Sequence, residues 1–323
     1  MANTHRPHPL DSAIEQYVAN RHALGRRFHI EERTLLHLRR FLARAGAHEL
    51  TEPLFDQWRF RSHRLSNSTH VREEGIVSRF CRYRRRTDPR VFLPDPYSLT
   101  RLKPYAPPMI LTRAQVARLL AVCAARPYIP SYALPQAVMR LAIVLLYTAG
   151  LRRGELVRLT LADVDARAGV LWIRDSKFRK SRWVPLSRGA TRELRRFLRA
   201  RRRAGLDTSP QAPLLMSLRG HAYEGSAFSN RFAAVCARAG VRSEAGRRPR
   251  VHDMRHTFAV HALLRCYEAG GDAQAMLPRL ALYMGHVSIA STAYYLRLMP
   301  AVLERASRRF AGAFDILTLE AMP

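Results

Sequence analysis

Six prolines stand at positions 89, 94, 96, 104, 107 and 108, and no helix interior accommodates such a series. Each lacks the backbone N–H, and its ring clashes with the preceding turn. Helical periodicity runs up to Asp88 and resumes after Pro108. The 323-residue chain therefore reads as two bodies. A helical module spans 1–88, an extended proline-rich linker 89–108, a larger domain 109–312 and a tail 313–323.

Four helices are predicted in the first module. Ser12 and Glu15 form a capping-box pattern ahead of a face of Ile14, Tyr17, Val18 and Leu24, with Gly25 as the stop. Leu35, Leu38, Phe41, Leu42 and Ala45 mark a second helix ending at Gly46. Thr51 opens a third, carrying Leu54, Phe55 and Trp58. A fourth runs from about Ser68 to Arg86, with Val71, Ile76, Phe80 and Tyr83 inward. Its other face holds Arg79, Arg82, Arg84, Arg85 and Arg86 without an interleaved acid, as a phosphate-facing surface would.

In the larger domain Thr112 is a helix N-cap, followed by Val116, Leu119, Leu120 and Val122. An apolar helix from about Leu134 to Ala149 stops at Gly150. Gly169–Ile173 and Arg182–Leu186 are short, β-branched and aromatic, and predict a hairpin whose loop carries Lys177 and Lys180. Further helices are predicted near 189–203, 226–239, 252–268 and 274–284. The fold class expected is mainly α with a small β-hairpin or sheet.

The charge narrows the function. Against 25 acidic residues stand 55 basic ones, only three of them Lys, for a formal charge of +30. A compact body holds such an excess at a cost unless a polyanion shares it, which points to nucleic acid, with an anionic membrane surface well behind. No apolar run approaches the ~20 residues of a membrane span. The first residues show no apolar signal-peptide region, so a cytoplasmic protein without membrane contact is expected. The cysteines at 81, 123, 236 and 266 form no C-x-x-C pair and read as buried reduced thiols. His252 and His256 lie i, i+4 but lack the H-E-x-x-H glutamate. Neither a two-metal carboxylate cluster nor a P-loop is present, so no cofactor, metal or ATP is expected.

Four segments carry the chemistry: Thr148–Leu156 (T-A-G-L-R-R-G-E-L), the hairpin loop with Lys177, His252–Thr257 (H-D-M-R-H-T), and Leu282–His286 followed by Thr292–Tyr295. His252 and Arg255, at i, i+3, share a helix face. Arg forks match phosphate bidentately. Two of them with a Lys and two His could neutralise charge developing on a pentavalent phosphorus.

This ordered set, G-L-R-x-G-E-L, a hairpin Lys, H-x-x-R-H-T-F and G-H…T-x-x-Y, resembles the tyrosine recombinase (phage integrase) family over residues 109–312. The resemblance implies a two-domain architecture: a helical, SAM-like core-binding domain followed by a mixed α/β catalytic domain. It implies Arg152 as the first catalytic Arg, with Arg153 its neighbour and Glu155 its brace. Lys177 is implied as general acid for the leaving 5′ oxygen, with Lys180 the competitor. His252, Arg255 and His286 would hold the phosphate, and Tyr295 would be the nucleophile, with Tyr294 packed as a core aromatic. Because nine residues of one straight helix span ~13.5 Å, a break near Val287-Ser288 is expected to fold Tyr295 back toward His286.

The implied activity is strand cleavage and rejoining through a 3′-phosphotyrosine and a Holliday junction. A homotetramer would act on two double-stranded DNA sites, possibly with other recombinase subunits, and the segment 300–323 would dock on a neighbouring subunit. No arm-binding extension is evident, and the loop D-S-K-F-R-K-S-R is unlike the glycine-rich loop of many Xer-like proteins, which favours a mobile-element recombinase. The alternatives are type IB topoisomerase-like relaxation and a non-catalytic architectural DNA-binding protein.

Overall fold

The computed structural model describes residues 8–25, 28–61, 65–103, 107–124, 133–174, 181–217, 220–286 and 288–299. It separates into two compact units, Met1–Ala106 and Pro107–Pro323. Helices predominate, with one small antiparallel sheet, as the sequence led us to expect. No helix among the described residues is long and apolar enough to cross a membrane.

Unit one is built on α1 (Leu10–Ala23), α2 (His29–Arg44), α3 (Glu52–Arg59) and α4 (Asn67–Arg84). Leu35, Leu38 and Leu42 recur at helical spacing and meet Ile14, Tyr17, Trp58, Ile76 and Phe80 in one core. The α1 start differs from the sequence expectation. The helix begins at Leu10, and Asp11 accepts the His8 N–H at 2.8 Å, so Ser12 lies inside the first turn rather than capping it. Leu24, expected inward, is exposed beyond the helix end. Ser66 caps α4 through the Thr69 N–H.

Part of the proline-rich interval is built into this unit. Val91 is buried in its core. Buried Glu74 accepts both the N–H and the hydroxyl of Thr100 at 2.7 Å. On α4, Arg79, Arg82, Arg85 and Arg86 are exposed. Arg84 is instead turned onto Glu49, donating at 2.8 and 2.6 Å.

Unit two is organised round α6 (Ala133–Ala149), against which α5 (Arg113–Ala124), α8 (Arg188–Arg203) and α10 (Val251–Glu268) pack. Nearly every α6 side chain from Val138 to Leu146 is buried, which explains its unbroken apolar run. Thr112 and Gln115 cap α5 reciprocally, each side chain accepting the other's N–H, at 3.1 and 2.9 Å.

The sheet order is β1 (Val164–Asp165), β2 (Val170–Ile173), β3 (Arg182–Pro185), all antiparallel. The hairpin forms as expected; the two-residue β1 was too short to read. Leu171, Ile173 and Val184 face the core, while Trp172 and Trp183 pair on the other face with ring centroids 4.3 Å apart. The loop residues Lys177 and Lys180 lie outside the described residues. Short α7 (Arg153–Arg158) follows α6, α9 (Gly225–Arg238) precedes α10, and α11 (Leu277–Met284), α12 (Ala290–Ala293) and a 3-10 turn (Tyr294–Leu298) follow it.

Candidate active site

Two helix ends define the site. The last carbonyls of a helix have no intrahelical partner, and they carry the negative end of its dipole. At the end of α6, Gly150 turns with φ +60, and its carbonyl receives Arg255 Nη1 at 2.6 Å. At the end of α11, Gly285 turns with φ +69. There the Met284 carbonyl receives Arg255 Nη2 at 2.7 Å, and the Gly285 carbonyl receives Arg152 Nη2 at 2.8 Å. Two arginines distant in sequence are thereby gathered by backbone groups that need cationic donors.

The i, i+3 spacing of Arg152 and Glu155 has a local cause. Arg152 is the N-cap of α7 and Glu155 its third residue. The Glu155 carboxylate accepts the Arg152 backbone N–H at 2.9 Å and its guanidinium at 2.7 Å. It thus caps the helix and braces the side chain at once. Arg153 turns elsewhere, donating to Ser229 at 2.9 Å.

On α10, Asp253 is fully buried and accepts the Arg250 N–H at 2.8 Å, fixing the first turn. Burial alone would raise its pKa, but hydrogen bonds and charge from Arg250, with Arg247, carry it below the ordinary carboxylate value. That turn presents His252 and Arg255 on one face. Thr257, in the same motif, accepts the Leu111 N–H at 3.0 Å and anchors the segment before α5.

Arg255 is 1% exposed. Desolvation, then repulsion from Arg152, lowers its pKa to about 10, so it stays charged at neutral pH. His252 keeps a solvent-facing edge, yet its pKa falls below the ordinary imidazole value through desolvation and then Arg255. His286 drops to about 4 for the same two reasons. Its Nδ1 lies 2.7 Å from the Thr292 hydroxyl. When that hydroxyl donates, Nε2 carries the proton and serves as an N–H donor.

Tyr295 is 3% exposed and its ring stacks on His286, centroids 6.2 Å apart, with His256 edge-on at 5.6 Å. Desolvation raises its pKa, opposed by the positive charges of Arg255 and Arg152. Tyr294, expected to pack in the core, is 40% exposed; the short α12 and the 3-10 turn rotate Tyr295 inward instead. The chain breaks at Gly285, two residues earlier than the spacing implied. Arg152, His252, Arg255, His286 and Tyr295 are thus gathered at one locus.

Arg182 escaped the sequence reading, and His256 entered it only as a metal-ligand spacing and a motif letter. Arg182 donates to both Glu155 oxygens at 3.0 and 2.9 Å and to the Tyr283 carbonyl at 2.9 Å. The signal was present: Arg182 is two residues before buried Val184, so strand alternation points a charge inward, where it needs a partner. His256 packs edge-on against His252, centroids 4.5 Å apart, and its Nδ1 is buried without a hydrogen bond. Among the described residues no group of three or more His, Cys, Asp or Glu side chains could hold a metal ion.

Residues 109–301 match the Phage integrase family. The chain belongs to that family. A putative integrase/recombinase of Sinorhizobium fredii, y4rB, is 35% identical over 310 residues, covering 94% of this chain and 97% of that protein. Tyrosine recombinase XerD of Ralstonia nicotianae is 29% identical over 231 residues, covering 71% of this chain and 68% of the relative. Among solved structures, the Tn1549 transposon integrase in complex with circular intermediate DNA superposes with TM-score 0.60 at 20% identity, covering 88% of this chain and 94% of that one. A lambda integrase dimer bound to a core site superposes with TM-score 0.59 at 16% identity, with the same coverage. The integrase-family chain is an enzyme of the tyrosine recombinase class.

Two predictions follow from this geometry. A β-carbon at Gly150 would stand 2.3 Å from Phe258 Cδ1, in a backbone conformation other residues resist. Gly150→Ala is expected to cost about 2–5 kcal/mol, read as a lowered thermal midpoint; an unchanged midpoint would refute the cap assignment.

The second concerns acid. His256 and His286 bind protons at pH 6.5 when unfolded but only near 4 when folded, both through desolvation first. The unfolded state binds more protons between those values, so stability falls as pH drops from about 6.5 to 4 and levels below. Each contributes at most about 3 kcal/mol, less what solvent screens. His256→Leu should flatten the dependence of the melting midpoint on pH over that window, and an unaltered slope would count against its neutral burial.

Proposed function

We propose that this recombinase cuts and rejoins duplex DNA at specific sites through a 3′-phosphotyrosine, passing through a Holliday junction without metal or ATP. The observation that carries the reading is the gathering of two helix-end-anchored arginines and three imidazoles round one buried phenol. In it, Tyr295 Oη attacks phosphorus in line, passing its proton to solvent water as the P–O bond forms. The bond to the 5′ oxygen breaks, and Lys177 protonates the leaving oxygen. Arg152, Arg255, His252 and His286 hold the non-bridging oxygens, where fixed donors act on developing charge. The covalent intermediate conserves the bond energy, and a 5′-OH from a partner duplex reverses the step.

The chain's charge of +30 supports a DNA substrate. So does a cleft of about 680 Å³ beside the site, lined by Arg153, Arg248, Arg250 and His252 among others. In this reading unit one is the core-binding domain, with exposed Arg79, Arg82, Arg85 and Arg86 toward phosphates, and unit two is catalytic. A homotetramer on two DNA sites in the cytoplasm, serving a mobile element by integration or transposition, completes it.

The test uses nicked suicide duplexes from the ends of the element encoding the chain, in buffer with EDTA. An SDS-resistant adduct whose modified peptide contains Tyr295 is the expected result. Tight binding without any adduct would favour an architectural protein, and relaxation of any supercoiled plasmid a topoisomerase.

A further inference from the structure

We propose that Arg182 is a positioning residue for strand cleavage, partitioning the charge of Glu155 so that Arg152 and Arg255 remain cationic toward the phosphodiester. The inference rests on the roles just given to those two arginines. Glu155 is a single buried carboxylate with Arg152 bonded at 2.7 Å, Arg182 bonded through both prongs, and Arg255 at 4.0 Å. Three guanidinium groups and one carboxylate leave these four groups with two net positive charges, which suits a phosphodiester gaining a second negative charge as phosphorus becomes pentavalent. The Arg182 guanidinium meets Glu155 with both prongs, and a fork matched to both carboxylate oxygens is a strong arrangement. Its side chain is 12% exposed and that of Glu155 2%, so solvent does little to share the carboxylate's charge.

Arg182 also fixes the segment that carries His286. Its Nε donates to the Tyr283 carbonyl, and its guanidinium lies against Gly285. A β-carbon at Gly285 would stand 2.9 Å from Arg182 Nη1 and 3.1 Å from its Cζ. Gly285 thus serves two ends: it turns the chain at positive φ, and it leaves the seat in which Arg182 lies. Arg182 begins β3, so one guanidinium links the hairpin, the brace of Arg152 and the carbonyls that gather both arginines. Without it more of the carboxylate's charge would fall on Arg152 and, 4.0 Å away, Arg255, halving the two net positive charges of these groups to one.

The test compares the parent, R182Q, E155Q, R182Q/E155Q and R182K in single-turnover adduct formation on the same nicked element-end duplexes, with duplex affinity and melting midpoint measured alongside. R182Q is expected to slow adduct formation by about 100-fold, with affinity changed less than about threefold. Removing the uncompensated carboxylate should recover at least about tenfold of that loss in R182Q/E155Q. R182K, which restores charge with one prong, should fall between R182Q and the parent. A double variant as slow as R182Q or slower, with its melting midpoint unchanged from R182Q, would overturn the proposal, because the loss would then not come from the uncompensated carboxylate. So would folded R182K no faster than R182Q; if R182Q itself unfolds, folded R182K forming adduct at the parent's rate would overturn it instead. An R182Q rate equal to the parent's sinks this inference alone. A parent that forms no adduct on Tyr295 sinks it together with the reading beneath it.

Discussion

Tyr295→Phe is expected to bind element-end duplexes as the parent does and to yield no SDS-resistant adduct at all. The substitution removes one oxygen and leaves the ring. The stack on His286 and the edge contact with His256 are made by ring atoms, so the fold should persist, with stability changed by about 1 kcal/mol. In the proposed mechanism the lost oxygen is the one that attacks phosphorus. Tyr294 is 40% exposed where Tyr295 is 3%, and Arg255 and Arg152 act on Tyr295, so Tyr294→Phe should keep the adduct. An adduct surviving in Tyr295→Phe and lost in Tyr294→Phe would exchange the two roles.

In the proposed mechanism Tyr295 must give up its proton to attack. Desolvation raises the Tyr295 pKa, holding the phenol protonated at neutral pH. A bound phosphate would bring the reacting atom to a phenol already flanked by Arg152 and Arg255.

The sequence made most of this site readable because its motifs are backbone requirements as much as chemistry. Gly150 and Gly285 are the left-handed ends of α6 and α11, and Glu155 stands three residues after Arg152 because it caps α7. Such constraints are local, so they survive as fixed spacings. The apolar run of α6 and the alternating hairpin were legible for the same reason. What failed was tertiary. Ser12 looked like a cap, but Asp11 caught the chain one residue earlier. Tyr294 and Tyr295 are adjacent and alike, and only the 3-10 turn decides which is buried. Arg182 was visible only as a charge on an inward strand face, and its partner lies 27 residues earlier on another element. The proline-rich interval, read as an extended spacer, gives Val91 and Thr100 to unit one through contacts no local pattern encodes.

Arg255→Lys should abolish detectable cleavage and lower the melting midpoint as well, and the pairing of the two effects is diagnostic. Arg255 spans two carbonyls, Gly150 at 2.6 Å and Met284 at 2.7 Å, which belong to different helix ends. A lysine carries one nitrogen and can satisfy only one of them well. The other is left buried without a partner, at about 1–3 kcal/mol. For a unit of this size that is a midpoint lower by about 5 °C. Cleavage suffers separately, because a fixed donor on the non-bridging oxygens is worth about 100- to 1,000-fold, and the lysine is held by one helix end where the arginine was held by two. Arg152→Lys provides the contrast. Arg152 is more exposed, at 23%, and Glu155 retains Arg182 when it is changed. It should lose a comparable factor in single-turnover rate with a smaller change in midpoint. Equal stability losses in the two variants would mean that the helix-end carbonyls do not hold Arg255 as described, and a cleavage rate for Arg255→Lys within about tenfold of the parent would remove it from the phosphate.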